Sequence, residues 1–179
     1  MFIIWRDLIT IRDDNVAESM MAKIYLFDWG GTLMVNPPEM KGKMCEWEHV
    51  EAITGAHDTL ALLSQQGCKL YVATGAGDSS EADIVAAFKR VGLDEYILGY
   101  FCQSNLGIGK GTAAYYQAIV DALGIDASEI TMVGDILHRD IEPAIEAGLN
   151  AIWYTPDAPR EEVSSDYQQV IHLSELCEL

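Results

Sequence analysis

Asp28, Thr74 and Asp135 each close a short apolar run, and Lys110 opens an amphipathic stretch just after a glycine-rich turn. Short apolar runs ended by turn residues have the look of buried strands. In an open parallel sheet, ligands bind beyond the carboxyl ends of the strands, so these positions converge on one edge. The two carboxylates suit Mg2+, a hard cation that takes oxygen ligands. The hydroxyl of Thr74 and the ammonium of Lys110 suit an anionic oxygen, as do the backbone N–H groups of the Gly30-Gly31-Thr32 turn. Such a set has the chemistry of a phosphoryl site.

The elements that must position these residues follow a regular order. Strands are expected over residues 23–27, 68–73, 96–102, 129–133 and 150–154, with a short sixth over 169–173. Helices are expected over 56–66, 81–91, 110–123 and 139–147, stopped by Gly67, Gly92, Gly124 and Gly148. In the second of these, Glu81 and Asp83 in the first turn and Lys89 and Arg90 in the last suit the helix dipole. This alternation predicts an α/β fold of three layers, a mostly parallel sheet covered by helices on both faces. Residues 36–55 break the rhythm. That loop carries Pro37, Pro38, Met40, Met44 and Trp47, and is long enough to expect a functional flap. Residues 1–22 form an N-terminal extension, read as a loose arm or as an apolar segment that packs on a partner subunit.

The chain has 179 residues, with 28 acidic against 11 basic side chains and a formal net charge of −17. A chain of this length buries about 70% of its unfolded surface, enough for a core without disulfides or structural zinc. Its charge repels nucleic-acid phosphates and anionic membrane alike, and no basic stripe with interleaved aromatics is present. No apolar run has the length of a membrane span. Cys45, Cys68, Cys102 and Cys177 are far apart and form no C-x-x-C pair. Buried free thiols are therefore expected at Cys68, Cys102 and Cys177. The first residues have neither the basic start nor the cleavage site of a signal peptide, so the expected compartment is a reducing cytoplasm.

Phe27-Asp28-Trp29-Gly30-Gly31-Thr32-Leu33 resembles the first motif of the haloacid dehalogenase-like hydrolase superfamily. Thr74 at the end of its apolar run resembles the second motif and Lys110 the third. Val133-Gly134-Asp135-Ile136-Leu137-His138-Arg139-Asp140, with Ala144 and Ala147-Gly148 after it, resembles the fourth. The resemblance spans Lys23 to about Tyr154 and implies a Rossmann-like domain over residues 23–179. It implies that Asp28 is a nucleophile that becomes an aspartyl-phosphate, and that Lys110 and Thr74 are catalytic clamps on the phosphoryl oxygens. Gly31, Thr32 and Gly75 would help to bind the substrate phosphate. Mg2+ would be held by Asp28, Asp135 and the backbone carbonyl of Gly30, with Asp140 orienting the cluster from behind.

One position departs from that pattern. Phosphatases of the superfamily usually carry a second Asp two residues after the nucleophile, and here that position is Gly30. A general acid-base of this kind is worth roughly 10²–10⁴ in rate. The enzyme would then act on acyl or aryl phosphates, which need no protonation, or be a weak or lapsed catalyst that binds a phosphate ligand. Alternatively Glu46, Glu48, His49 or His138 fills in. Lys41 and Lys43 invite comparison with phosphonate-cleaving relatives, but a solvated loop is the better reading of both. The loop is too short for a large cap, so Met40, Met44 and Trp47 are expected to form a small hydrophobic flap over an open site. An open site accepts a bulky phosphorylated substrate or borrows a lid from a neighbouring subunit in a homo-oligomer. Dehalogenation remains an alternative, disfavoured by Asp135 as a magnesium-type ligand and by the missing cap.

Overall fold

The computed structural model describes residues 22–159 and 164–179. Six parallel strands form one sheet: β1 (Ile24–Phe27), β2 (Lys69–Ala73), β3 (Gly99–Phe101), β4 (Ile130–Gly134), β5 (Asn150–Tyr154) and β6 (Gln168–Val170). Their order across the sheet is β3-β2-β1-β4-β5-β6. β1 lies at the centre, and all four of its residues are buried. That explains why it reads as a continuous apolar run rather than an alternating one.

Successive side chains of β1 point to opposite faces of the sheet. Tyr25 and Phe27 join a core with Leu60, Leu63 and Phe88, beneath α1 (Ala56–Gln65) and α2 (Glu81–Arg90). Ile24 and Leu26 join another with Tyr115, Tyr116 and Ile119, beneath α4 (Ala113–Leu123), which Ala144 of α5 (Glu142–Glu146) also enters. The sandwich is thus the three-layer α/β/α arrangement that the alternation of elements predicts. A short α3 (Gln103–Leu106) leads from β3 toward α4. No helix of the described residues is long and apolar enough to cross a membrane.

Several boundaries differ from the sequence reading, each for a local reason. The third strand shrinks to Gly99–Phe101 because Asp94–Tyr96 forms a single tight turn before it. The helix expected from Lys110 begins only at Ala113, because Gly111 takes a φ of +111° and breaks the continuation. The helix expected over 139–147 opens as a wide π-type turn, Leu137–Ile141, and becomes regular at Glu142. The chain also ends in a 3-10 helix, Leu173–Glu178, packed on α1, which the sequence reading missed. All four cysteines are free, but only Cys102 is buried; Cys68 and Cys177 are half-buried, at the margin of the core. The N-terminal extension, apart from Ala22, lies outside the described residues.

Residues 36–55 are tied down at several points. The chain leaves and returns on an antiparallel neck, with Met34 opposite Ala52, Val35 N–H donating to Glu51 O (2.9 Å) and Ile53 N–H to Leu33 O (2.9 Å). The outer part is tied to α2. Lys43 forms an ion pair with Asp83 at 2.8 Å, and the Arg90 guanidinium donates to the carbonyls of Cys45, Trp47 and Glu48. Lys43 is therefore an anchor, not a solvated loop residue as its sequence context suggests. Lys41 remains exposed, its ammonium donating to Pro38 O within the loop.

Candidate active site

β1 and β4 are neighbours, with Phe27 opposite Val133, so Asp28 and Asp135 emerge side by side at the sheet's carboxyl edge. The strand order reverses between them: β2 and β3 lie to one side of β1, while β4 and the strands after it lie to the other. A crevice forms at such a switch point. Asp28 N–H donates to Val133 O at 2.8 Å, which extends the ladder to the site itself. Thr74 follows β2, and its N–H is held by Phe101 O at 2.9 Å.

Lys110 lies beneath this edge with its side chain only 1% exposed. Its ammonium donates to Asp28 Oδ1, to Asp140 Oδ1 at 2.7 Å and to Ala73 O at 2.8 Å, which occupies all three of its protons. Asp140 is equally committed, since its Oδ2 accepts from Ile136 N–H at 2.9 Å. Gly134 makes this possible: a Cβ there would collide with the Asp140 side chain. Gly31, at a φ of +93°, leaves room in the same way for the Asp135 carboxylate.

Asp135 is held differently. Trp153 Nε1–H donates to its backbone carbonyl at 2.9 Å, and the Thr32 hydroxyl makes a long 3.4 Å contact with its carboxylate, which forms no ion pair among the described residues. Burial, reinforced by the charges of Asp28 and Asp140, pushes its carboxyl up to about 6. Burial likewise raises Asp28, although Lys110 opposes the shift. For Lys110, burial alone would lower the ammonium, but Asp28 and Asp140 outweigh it and raise it. Oxygens of Asp28, Asp135 and Asp140 lie within 4.8 Å of one another, with Lys110 as the buried cation among them. The cluster is thus short of positive charge on its Asp135 side. An oxygen-seeking divalent cation fits that deficit.

The cleft above Asp28 measures about 380 Å³ and is lined by Thr74, Gly75, Met40, Met44 and Trp47, among others. Thr74 Oγ1 accepts from Ala76 N–H at 3.2 Å, which leaves its hydroxyl proton free to donate. Gly30 and Asp140 also border the cleft, while Gly31 and Asp135 border the adjoining groove. Glu46, Glu48, His49 and His138 are all exposed, and none borders the Asp28 cleft.

Arg139 and Asn36 are among the cleft residues that sequence reasoning missed. The wide turn at Leu137–Ile141 buries Asp140 and sends its neighbour Arg139 across Gly75, where a Cβ would strike the guanidinium. That guanidinium has no hydrogen-bond or ion-pair partner among the described residues. Asn36 stands where both grooves meet, at the start of the loop, directly before Pro37-Pro38. The glycine after Thr74 was a signal for the first; the proline pair, which fixes the backbone of the residue before it, was a signal for the second.

The sequence pattern described as "haloacid dehalogenase-like hydrolase" matches residues 39–148. The chain belongs to this hydrolase family. That match starts beyond Asp28. Among relatives, the pyrimidine 5'-nucleotidase PynA of Streptococcus pneumoniae is 31% identical over 59% of this chain and 44% of its own length. The glyceraldehyde 3-phosphate phosphatase of Pyrococcus abyssi is 23% identical over 61% of this chain and 44% of its own. The alignments thus span less than half the length of either relative. A solved structure of an uncharacterized protein from Listeria monocytogenes serotype 4b has the same fold. It superposes with a TM-score of 0.75 at 22% identity, covering 87% of this chain and 95% of that one.

Proposed function

We propose that this hydrolase is a Mg2+-dependent phosphatase that works through Asp28. The observation that carries the reading is the pairing of a lysine-bridged carboxylate, Asp28, with a neighbouring carboxylate, Asp135, that forms no ion pair among the described residues. Asp28, Asp135 and the Gly30 carbonyl would hold the metal, whose chemistry is to neutralise charge on the phosphoryl oxygens. An oxygen of Asp28 attacks phosphorus, and the leaving group departs with the electrons of the broken P–O bond. Water then attacks phosphorus, releasing inorganic phosphate and restoring the carboxylate.

As Asp28 becomes an acyl phosphate, the Lys110 proton that it accepted turns to a phosphoryl oxygen. Lys110 moves little, because Asp140 and Ala73 O keep its other two protons in place. The Thr74 hydroxyl and the backbone N–H of Gly75 complete the set of donors to that group, while Gly31, whose own N–H is taken by Met34 O at 2.8 Å, and Thr32 shape the turn beside it. Arg139, at the mouth, supplies a further cation for an anionic substrate. Residues 23–179 act as one domain in this reading, with 36–55 as a flap in place of a large cap, and residues 1–22 as an extension to it. The substrates are small phosphorylated molecules or the exposed phosphate of a bulky one. The names of the relatives support a phosphatase over a dehalogenase. Four free thiols support a reducing, cytoplasmic setting.

The test is hydrolysis of p-nitrophenyl phosphate and acetyl phosphate with Mg2+ and with EDTA. Turnover should require the metal and fall by at least about a thousandfold in Asp28→Asn. Equal turnover in Asp28→Asn, or none in wild type, would sink the reading.

A further inference from the structure

Gly30 is two residues beyond Asp28, and its φ lies outside the left-handed region that calls for glycine. Backbone strain therefore does not explain the missing side chain. Space at this position is shared with Asn36: a Cβ built on Gly30 would lie 2.7 Å from Asn36 Nδ2 and 3.0 Å from Asn36 Cβ, so the Asn36 side chain would have to move aside. The carboxamide of Asn36 fills the volume that a side chain at position 30 would enter.

Asn36 is well placed to hold that position. The neck below it is pinned by Val35 N–H to Glu51 O, and Pro37 restricts the Asn36 backbone to extended conformations. Asn36 is exposed and borders both grooves, and its carboxamide has no hydrogen-bond partner among the described residues, so its two N–H donors and its oxygen are open to a ligand or to solvent. A carboxamide can donate a hydrogen bond to an oxygen but cannot transfer a proton at neutral pH.

We propose that Asn36 faces the leaving-group oxygen of the substrate and stabilises it by hydrogen bonding, without protonating it. This rests on the phosphatase reading above and deepens it by naming the substrate class. The substrates are phosphates whose leaving group departs as a stable anion: acyl phosphates, phosphorylated enols and aryl phosphates. As the bond from phosphorus to the leaving oxygen breaks, its electron pair stays on that oxygen, and the Asn36 N–H bridges to it. The anion leaves the cleft; a carboxylate stays ionised, and a more basic phenolate or enolate takes its proton from solvent. Esters of ordinary alcohols are poor substrates, because an alkoxide leaves too reluctantly.

The experiment compares wild type, Asn36→Ala, Asn36→Asp and the pair Gly30→Asp with Asn36→Ala, on acetyl, p-nitrophenyl, phenyl and benzyl phosphate with Mg2+. Wild-type kcat/KM should fall steeply as the leaving group becomes more basic. Asn36→Ala should lose about tenfold on p-nitrophenyl phosphate. Asn36→Asp and the Gly30→Asp, Asn36→Ala pair place a carboxyl in the slot. At least one should gain tenfold or more on benzyl phosphate, flatten the leaving-group dependence and acquire a new basic limb in its pH profile. Gly30→Asp alone should gain less than the pair, because Asn36 still fills the space.

Wild type that hydrolyses benzyl phosphate as well as p-nitrophenyl phosphate overturns the proposal while leaving the phosphatase reading intact. So do carboxyls that, at both positions, leave the leaving-group dependence and pH profile unchanged in folded, active proteins. Absence of any metal-dependent turnover in wild type overturns both.

Discussion

The carboxylate cluster at the ends of β1 and β4 and the excursion over residues 36–55 border one cleft but are built on opposite principles. In the cluster, the polar atoms of Lys110 and Asp140 are buried and each is taken by a partner inside the fold. In the excursion, most side chains are exposed, and the fixing contacts run from α2 to backbone carbonyls at the surface. The cluster is over-determined by the core and can hold reacting groups within tenths of an ångström. The excursion is attached at a few points, so its sequence can vary without unsettling the sheet. In the proposed reading, reaction type follows from the first region and substrate choice from the second.

Breaking each region separately measures that contrast. Lys110→Ala removes the cation from two buried carboxylates, Asp28 and Asp140. It should abolish turnover and cost about 3–5 kcal/mol of stability in urea unfolding. Arg90→Ala releases the carbonyls of Cys45, Trp47 and Glu48 and should leave the melting temperature nearly unchanged. It should raise KM for an aryl phosphate about fivefold and expose residues 40–50 to limited proteolysis. Should Arg90→Ala destabilise the protein as much as Lys110→Ala does, the two regions form one unit and the contrast fails.

A smaller effect sharpens the electrostatics of the cluster. Asp135 has a folded-state pKa of about 6, above its ordinary 3.8. Between those values the folded state binds more protons than the unfolded one, so without metal its contribution to stability declines as pH rises through that range. A bound cation removes this penalty. Mg2+ should therefore raise the melting temperature more at about pH 7.5 than at about pH 5. An equal shift at both would place the ion away from Asp135.

The strand ends were legible in the sequence because a central parallel strand must be apolar on both faces. The break from Phe27 to Asp28, or from Val133 to Gly134-Asp135, therefore stands out. What surrounds those ends was less legible. Lys110 reads as a helix residue, yet Gly111 keeps it outside α4, in the loop from which its side chain reaches under β1 and β2. Asp83 and Arg90 read as charges placed for a helix dipole. Asp83 does complete a capping box with Ser80, but it also anchors Lys43, and Arg90 anchors the excursion. Neither role leaves a local pattern, because the partners lie forty or more residues away in Lys43 and in backbone carbonyls that carry no residue signature. Asn36 and Arg139 were hidden for a related reason. Their roles depend on empty space above Gly30 and Gly75, which only the folded backbone defines.

The central claim is that Asp28 carries the phosphoryl group, and the most direct measurement is to look for it there. Wild type and Asp28→Asn would be mixed with acetyl phosphate and Mg2+, quenched in acid, digested and examined by mass spectrometry. A phosphoryl adduct on the peptide containing Asp28, absent in the variant and absent with EDTA, is the result this account predicts. Metal-dependent hydrolysis with no adduct at any quench time, or with the adduct on another residue, would contradict it.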